Sequence, residues 1–132
     1  MPASIPPDLV DLLTTNAIGH VSAKRPDGSI AQYLMWVDFD GEHVLTSSPV
    51  GSRKGAHWRD DPHVTLSVVD RSNDWRYLVI RGRVIDIRPD EGLAFIDRMS
   101  QRYTGQPYRM RQYEREVFVI APEHVRASTG RR

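Results

Sequence analysis

The stretch of this chain best equipped for chemistry is Thr46-Ser47-Ser48-Pro49-Val50-Gly51-Ser52-Arg53-Lys54-Gly55. Hydroxyls, glycines and two adjacent cations lie between an apolar run and a segment that can form a short helix. Ser52 is a residue type that caps helices, so the N–H groups just behind it lack intrahelical partners. The positive end of the helix dipole lies there as well. Arg53 and Lys54, placed in that first turn, add cations where the dipole disfavours them. A bound anion removes the conflict, because free N–H groups and both side chains then converge on it. His57, one turn beyond Lys54, could add a third donor. The plain alternative is a solvated helix start with two incidental charges, since short lookalikes of phosphate loops are common.

These residues need a scaffold, and the pattern along the 132-residue chain supplies one. Pro6-Pro7-Asp8 opens a short helix with Leu9, Leu12 and Leu13 on one face. A strand over 17–23 closes on the turn residues Arg25-Pro26-Asp27-Gly28. A second strand is expected over 29–39, and Asp40-Gly41 turns it into a third over 43–47. A short helix over 52–59 follows, then strands over 64–69 and 76–87. In the latter, Leu78 and Ile80 share one parity while Ile85 and Ile87 have the other, which predicts a bulge or bend near Gly82. Pro89-Asp90 starts a helix carrying Ile96, Met99 and Tyr103, and a last strand over 117–120 is expected to stop at Pro122. Hairpins without βαβ alternation indicate an antiparallel α+β barrel in one domain covering residues 1–132.

Composition narrows the function. The net charge of +1 provides no field for nucleic acid or an acidic membrane surface. No apolar run approaches the roughly 20 residues of a membrane helix. The start of the chain does not read as a signal peptide. The absence of cysteine removes disulfides, thiolate metal sites and cysteine nucleophiles, and it fits a reducing cytoplasm. The histidines His20, His43, His57, His63 and His124 show no metal-ligand spacing.

The run Ser48-Pro49-Val50-Gly51-Ser52-Arg53-Lys54 resembles the phosphate-binding segment of the pyridoxamine 5′-phosphate oxidase superfamily. Asp61-Pro62-His63-Val64-Thr65-Leu66-Ser67-Val68-Val69-Asp70 and Tyr77-Leu78-Val79-Ile80-Arg81-Gly82-Arg83-Val84 resemble two of its strands at similar spacing. The resemblance covers about Leu9 to Arg126 and implies an antiparallel split β-barrel with peripheral helices that works as a homodimer. By the same resemblance Ser47, Ser48, Arg53 and Lys54 hold a cofactor phosphate, with Thr46 sharing the role. Gln32, Tyr33, Leu34, Met35 and Trp36 run along the cofactor ring. Tyr77, with Trp75 leading into it, reaches that ring from the other subunit. The family's vitamin-making members carry a basic C-terminal substrate motif, which the ending Arg126-Ala127-Ser128-Thr129-Gly130-Arg131-Arg132 lacks. The short length and the Trp36 strand look more like the actinobacterial branch that uses the deazaflavin coenzyme F420.

That resemblance implies hydride transfer between reduced F420 and a small organic substrate, with binding residues and no catalytic triad. Two alternatives stay open: an FMN-dependent oxidoreductase of the same fold, and a non-catalytic binder of flavin, F420 or haem. The arginines of 98–115 could meet a polyglutamate cofactor tail, although a solvated basic face is the plainer reading. Trp36, Trp58 and Trp75 could wall a substrate pocket or pack in the core or an interface. Asp38, Asp40 and Glu42 need no more than turn preference.

Overall fold

The computed structural model describes residues 3–130. Its centre is a pair of long antiparallel strands, β6 (Asn73–Pro89) and β7 (Arg115–Thr129). Around them lie β1 (Gly19–Lys24), β2 (Ile30–Met35), β3 (Asp38–Phe39), β4 (Val44–Pro49) and β5 (His63–Asp70). Among the described residues the strands join one antiparallel sheet in the order β2-β1-β5-β6-β7-β4-β3. Three α-helices complete the α+β split β-barrel: α1 (Asp11–Thr14), α2 (Arg53–Asp60) and α3 (Ala94–Thr104).

Strand β7 separates two apolar clusters by its alternation. Phe118 and Ile120 join the barrel core with Val21, Val44, Trp58, Leu66, Leu78 and Ile80. Val117 and Val119 face the other way, onto Leu45 and the α3 residues Phe95, Ile96 and Met99. The expected apolar face Leu9, Leu12 and Leu13 is almost wholly buried and plugs the barrel. Trp58 packs edge-on against Phe118 at 4.9 Å and donates Nε1–H to the Ser22 carbonyl at 3.3 Å. It is a core residue, so a pocket-wall role is ruled out by burial.

Two expectations about strands are corrected, and the bulge expected near Gly82 is present. Strand 29–39 breaks into β2 and β3 at Trp36–Val37, because these backbone groups bond elsewhere. Thr46 Oγ1 donates to the Trp36 carbonyl at 2.8 Å, and Val37 N–H donates to the Tyr103 hydroxyl at 3.1 Å. Pro122 does not end the last strand, which runs on to Thr129. A register shift at Arg81/Gly82 skips Glu123, setting Pro122 opposite Gly82 at a bulge where a missing N–H costs little. Gly82 lies so close to the Ala121 carbonyl that a side chain would collide with it. The parity change itself comes later: β6 skips Ile85 between Val84 and Asp86, and Ile85 is left exposed.

Candidate active site

Helix α2 starts as its sequence requires. Ser52 has extended backbone and its hydroxyl accepts from Gly55 N–H at 3.1 Å. Gly55 leaves room for an ion pair: a Cβ there would lie 2.9 Å from Glu116 Oε2 and from Arg59 Nη1, so those two side chains would have to shift. The missing side chain lets the helix sit on β7, where Arg59 grips the buried Glu116 with two bonds of 2.9 and 2.7 Å. This docking carries Lys54 into a cavity of about 310 Å³.

One wall of the cavity is apolar, made by Leu34, Met35 and Trp36 from the end of β2 and Phe95, Ile96 and Met99 from α3. Trp36 stacks on Tyr103 at 5.2 Å and 16°. The other end is polar, formed by Ser47, Ser48, Lys54, Tyr108 and Arg115. Among the described residues no aspartate or glutamate lines the cavity. Lys54 Nζ stands over the Tyr33 ring at 5.0 Å. Burial, and then the charge of Arg115, holds the Lys54 ammonium below its ordinary value of 10.5. Burial likewise lowers Arg115. Arg115 donates Nε–H to Ser47 Oγ at 3.1 Å and Nη1–H to Tyr108 Oη at 3.0 Å, stacked over that ring at 5.1 Å. Ser48 Oγ is buried and has no hydrogen-bond partner among the described residues. A buried orphan hydroxyl beside two desolvated cations is costly unless an acceptor with negative charge comes to it.

The structure brings together six of the residues read from sequence: Leu34, Met35, Trp36, Ser47, Ser48 and Lys54. Tyr33 joins them through its contact with Lys54. Thr46 is buried beside the site, but its hydroxyl is committed to the Trp36 carbonyl and shapes the wall instead. Gln32, Arg53, His57, Trp75 and Tyr77 do not line this cavity. Gln32 and Arg53 are exposed, and His57 is half-buried on α2. Trp75 and Tyr77 lie near the start of β6, with Trp75 exposed and Tyr77 paired to Val69 and Ser128.

Arg115 and Tyr108 were missed. The arginines of 98–115 are not one solvated face: Arg98 and Arg102 each reach Asp38 at 2.9 Å, and Arg111 pairs with Asp97 at 2.6 Å. Asp38 is correspondingly buried, whereas Asp40 does the turn chemistry by accepting from Glu42 and His43 N–H. The available signal was Arg115-Glu116 opening the apolar run Val117–Ile120, which places two charges inside a central strand.

The sequence profile described as pyridoxamine 5′-phosphate oxidase matches residues 6–129. The chain belongs to the pyridoxamine 5′-phosphate oxidase family. Among solved structures, an F420 reductase superposes on this family member with a TM-score of 0.85 and 31% identity, over 92% of this chain and 98% of its own. A conserved hypothetical protein of Mycobacterium tuberculosis has a TM-score of 0.77 at 22% identity, over 98% and 88%. The General Stress Protein 26 of Bacillus anthracis reaches 0.70 at 15%, over 92% and 91%. The last two share the fold alone. No curated protein matches the sequence significantly. Among the described residues no helix is long and apolar enough to cross a membrane.

Proposed function

We propose that this chain is an F420-dependent oxidoreductase that transfers a hydride between the reduced deazaflavin and a small organic substrate. The observation that carries the reading is the polar end of the cavity, where, among the described residues, Ser48 Oγ has no partner and Lys54 is desolvated with no carboxylate lining the cavity. Such a site suits the phosphoryl group of a flavin-type cofactor. Likeness to an F420 reductase over most of both chains supports F420 as that cofactor.

When bound, the deazaflavin supplies the hydride chemistry. The chain's own residues bind and orient. Lys54 and Ser48 hold the phosphoryl end, and the backbone of Gln32, Tyr33, Leu34, Met35 and Trp36 runs along the ring. Phe95, Ile96 and Met99 keep water from the apolar wall. A homodimer would bring Trp75 and Tyr77 of a second copy to the ring. The exposed apolar side chains Ile30, Leu34, Val50 and Trp75 are consistent with such a contact. Light scattering tests the dimer, and a monomer that binds cofactor at full strength would contradict the shared site.

Parallel calorimetric titration with F420 and FMN tests the cofactor, followed by turnover of enone substrates with the reduced coenzyme. Tighter binding of F420 with turnover is the expected result. Preference for FMN would move the chemistry to flavin, and binding without turnover would make the protein a carrier. Binding of neither would overturn the reading.

A further inference from the structure

We infer that Arg115, rather than Arg53, is the second cation of the anion site and grips the phosphoryl group together with Lys54 and Ser48. This rests on reading the cavity as a phosphoryl-binding cofactor site. Arg53 is exposed, lies outside the cavity, and makes no hydrogen bond or ion pair among the described residues. Arg115 is 8% exposed at the first residue of β7, in register opposite Pro49, and lines the same cavity as Lys54 and Ser48.

Its guanidinium is held but not neutralised. Two hydroxyl oxygens, Ser47 Oγ and Tyr108 Oη, accept from Nε and Nη1 and fix the plane of the fork. Asp90 is the acid whose charge acts on it, yet both Asp90 oxygens accept from the N–H groups of Phe95 and Ile96. Nη2 donates to no group among the described residues. A planar cation with an unused edge, buried without a carboxylate, matches two oxygens of one phosphoryl group. Ser47 is thereby occupied in orienting Arg115, while the neighbouring Ser48 hydroxyl is left for the ligand. The two adjacent serines divide the work.

The test is calorimetric titration of wild type, Arg115→Gln, Arg115→Lys and Arg53→Gln with F420, FMN and inorganic phosphate, alongside melting without ligand. Arg115→Gln is expected to weaken each phosphoryl ligand that wild type binds by about 10–100-fold. Arg115→Lys keeps the charge but loses the fork, so it recovers part of that loss while remaining measurably weaker than wild type. Arg53→Gln should change affinity by less than about threefold, as expected for an exposed cation. Should Arg115→Gln fail to fold, the comparison of Arg115→Lys with Arg53→Gln decides. Equal or greater loss in Arg53→Gln, wild-type affinity in the Arg115 variants, or no binding of any of the three ligands to wild type would overturn the inference. FMN or phosphate binding that depends on Arg115 without F420 binding upholds it while the F420 reading fails. F420 binding that ignores Arg115 does the reverse.

Discussion

Two charged groups adjoin α3, and they are built on opposite principles. In the first group Asp38 is buried between Arg98 and Arg102, each bonded to a different carboxylate oxygen at 2.9 Å. Burial alone would push the Asp38 carboxyl up, but the two arginines outweigh it and hold it below 3.8. In the second group Lys54 and Arg115 share a cavity that, among the described residues, no carboxylate lines and where the Ser48 hydroxyl has no partner. The first group is satisfied within the chain, so it serves stability. The second is complete only with something added, which is why it is the candidate for binding. Burial therefore separates nothing here; what separates the two groups is whether each polar atom already has a partner.

The largest expected effect falls on the satisfied group. Asp38→Asn should cost about 2–3 kcal/mol of stability in urea unfolding, because it leaves two arginines without their carboxylate. Cofactor affinity should change little by comparison. A variant that unfolds like wild type would break the contrast. Since Asp38 is lowered in the fold, its contribution is present above the unfolded value of 3.8 and lost as pH falls through the folded one.

Lys54→Met probes the other group and should behave in the opposite sense. Affinity for the phosphoryl ligand falls by about 2 kcal/mol, the loss of one charge-assisted contact. Ligand-free stability should rise, because a desolvated cation is removed. Between its lowered folded value and 10.5 the unfolded chain binds the Lys54 proton more tightly, so wild-type stability without ligand climbs as pH rises through that window. Anion affinity drops over the same window as the ammonium loses its proton. Parallel melting and titration across alkaline pH would show the two curves crossing; curves that fall together would refute it.

The smallest effect is expected at Ser48. Ser48→Ala should weaken the phosphoryl ligand by about 1 kcal/mol while leaving the ligand-free protein as stable as before or slightly more so, since an orphan hydroxyl disappears. A clear loss of ligand-free stability would mean that the hydroxyl has a structural partner and belongs with the satisfied group.

Much of this site was legible in local chemistry. Ser52 caps α2 as its type and position require, and Lys54 in the first turn does face a cavity. Leu9, Leu12 and Leu13 bury together, and Ile96 and Met99 pack on the sheet as their helical spacing implies. What local chemistry could not assign was the fate of individual arginines. Arg98, Arg102, Arg109, Arg111 and Arg115 read as one basic stretch, yet three of the five find carboxylates, Arg109 stays exposed and Arg115 is drawn into the cavity. Arg53 and Lys54 are neighbours of like charge, but only one of them points inward.

By itself the sequence determined that the strands are antiparallel, the cap and cations of α2, and the family to which they belong, because caps, turns and periodicities are short-range consequences of residue type. Tertiary structure alone decided where β2 ends, how Pro122 is carried through β7, and which cation completes the anion site. Each of these depends on a partner far along the chain: Tyr103 for Val37, Gly82 for Pro122, Ser47 for Arg115. A side chain's charge is written in its type, but whether that charge is neutralised depends on what the fold sets beside it.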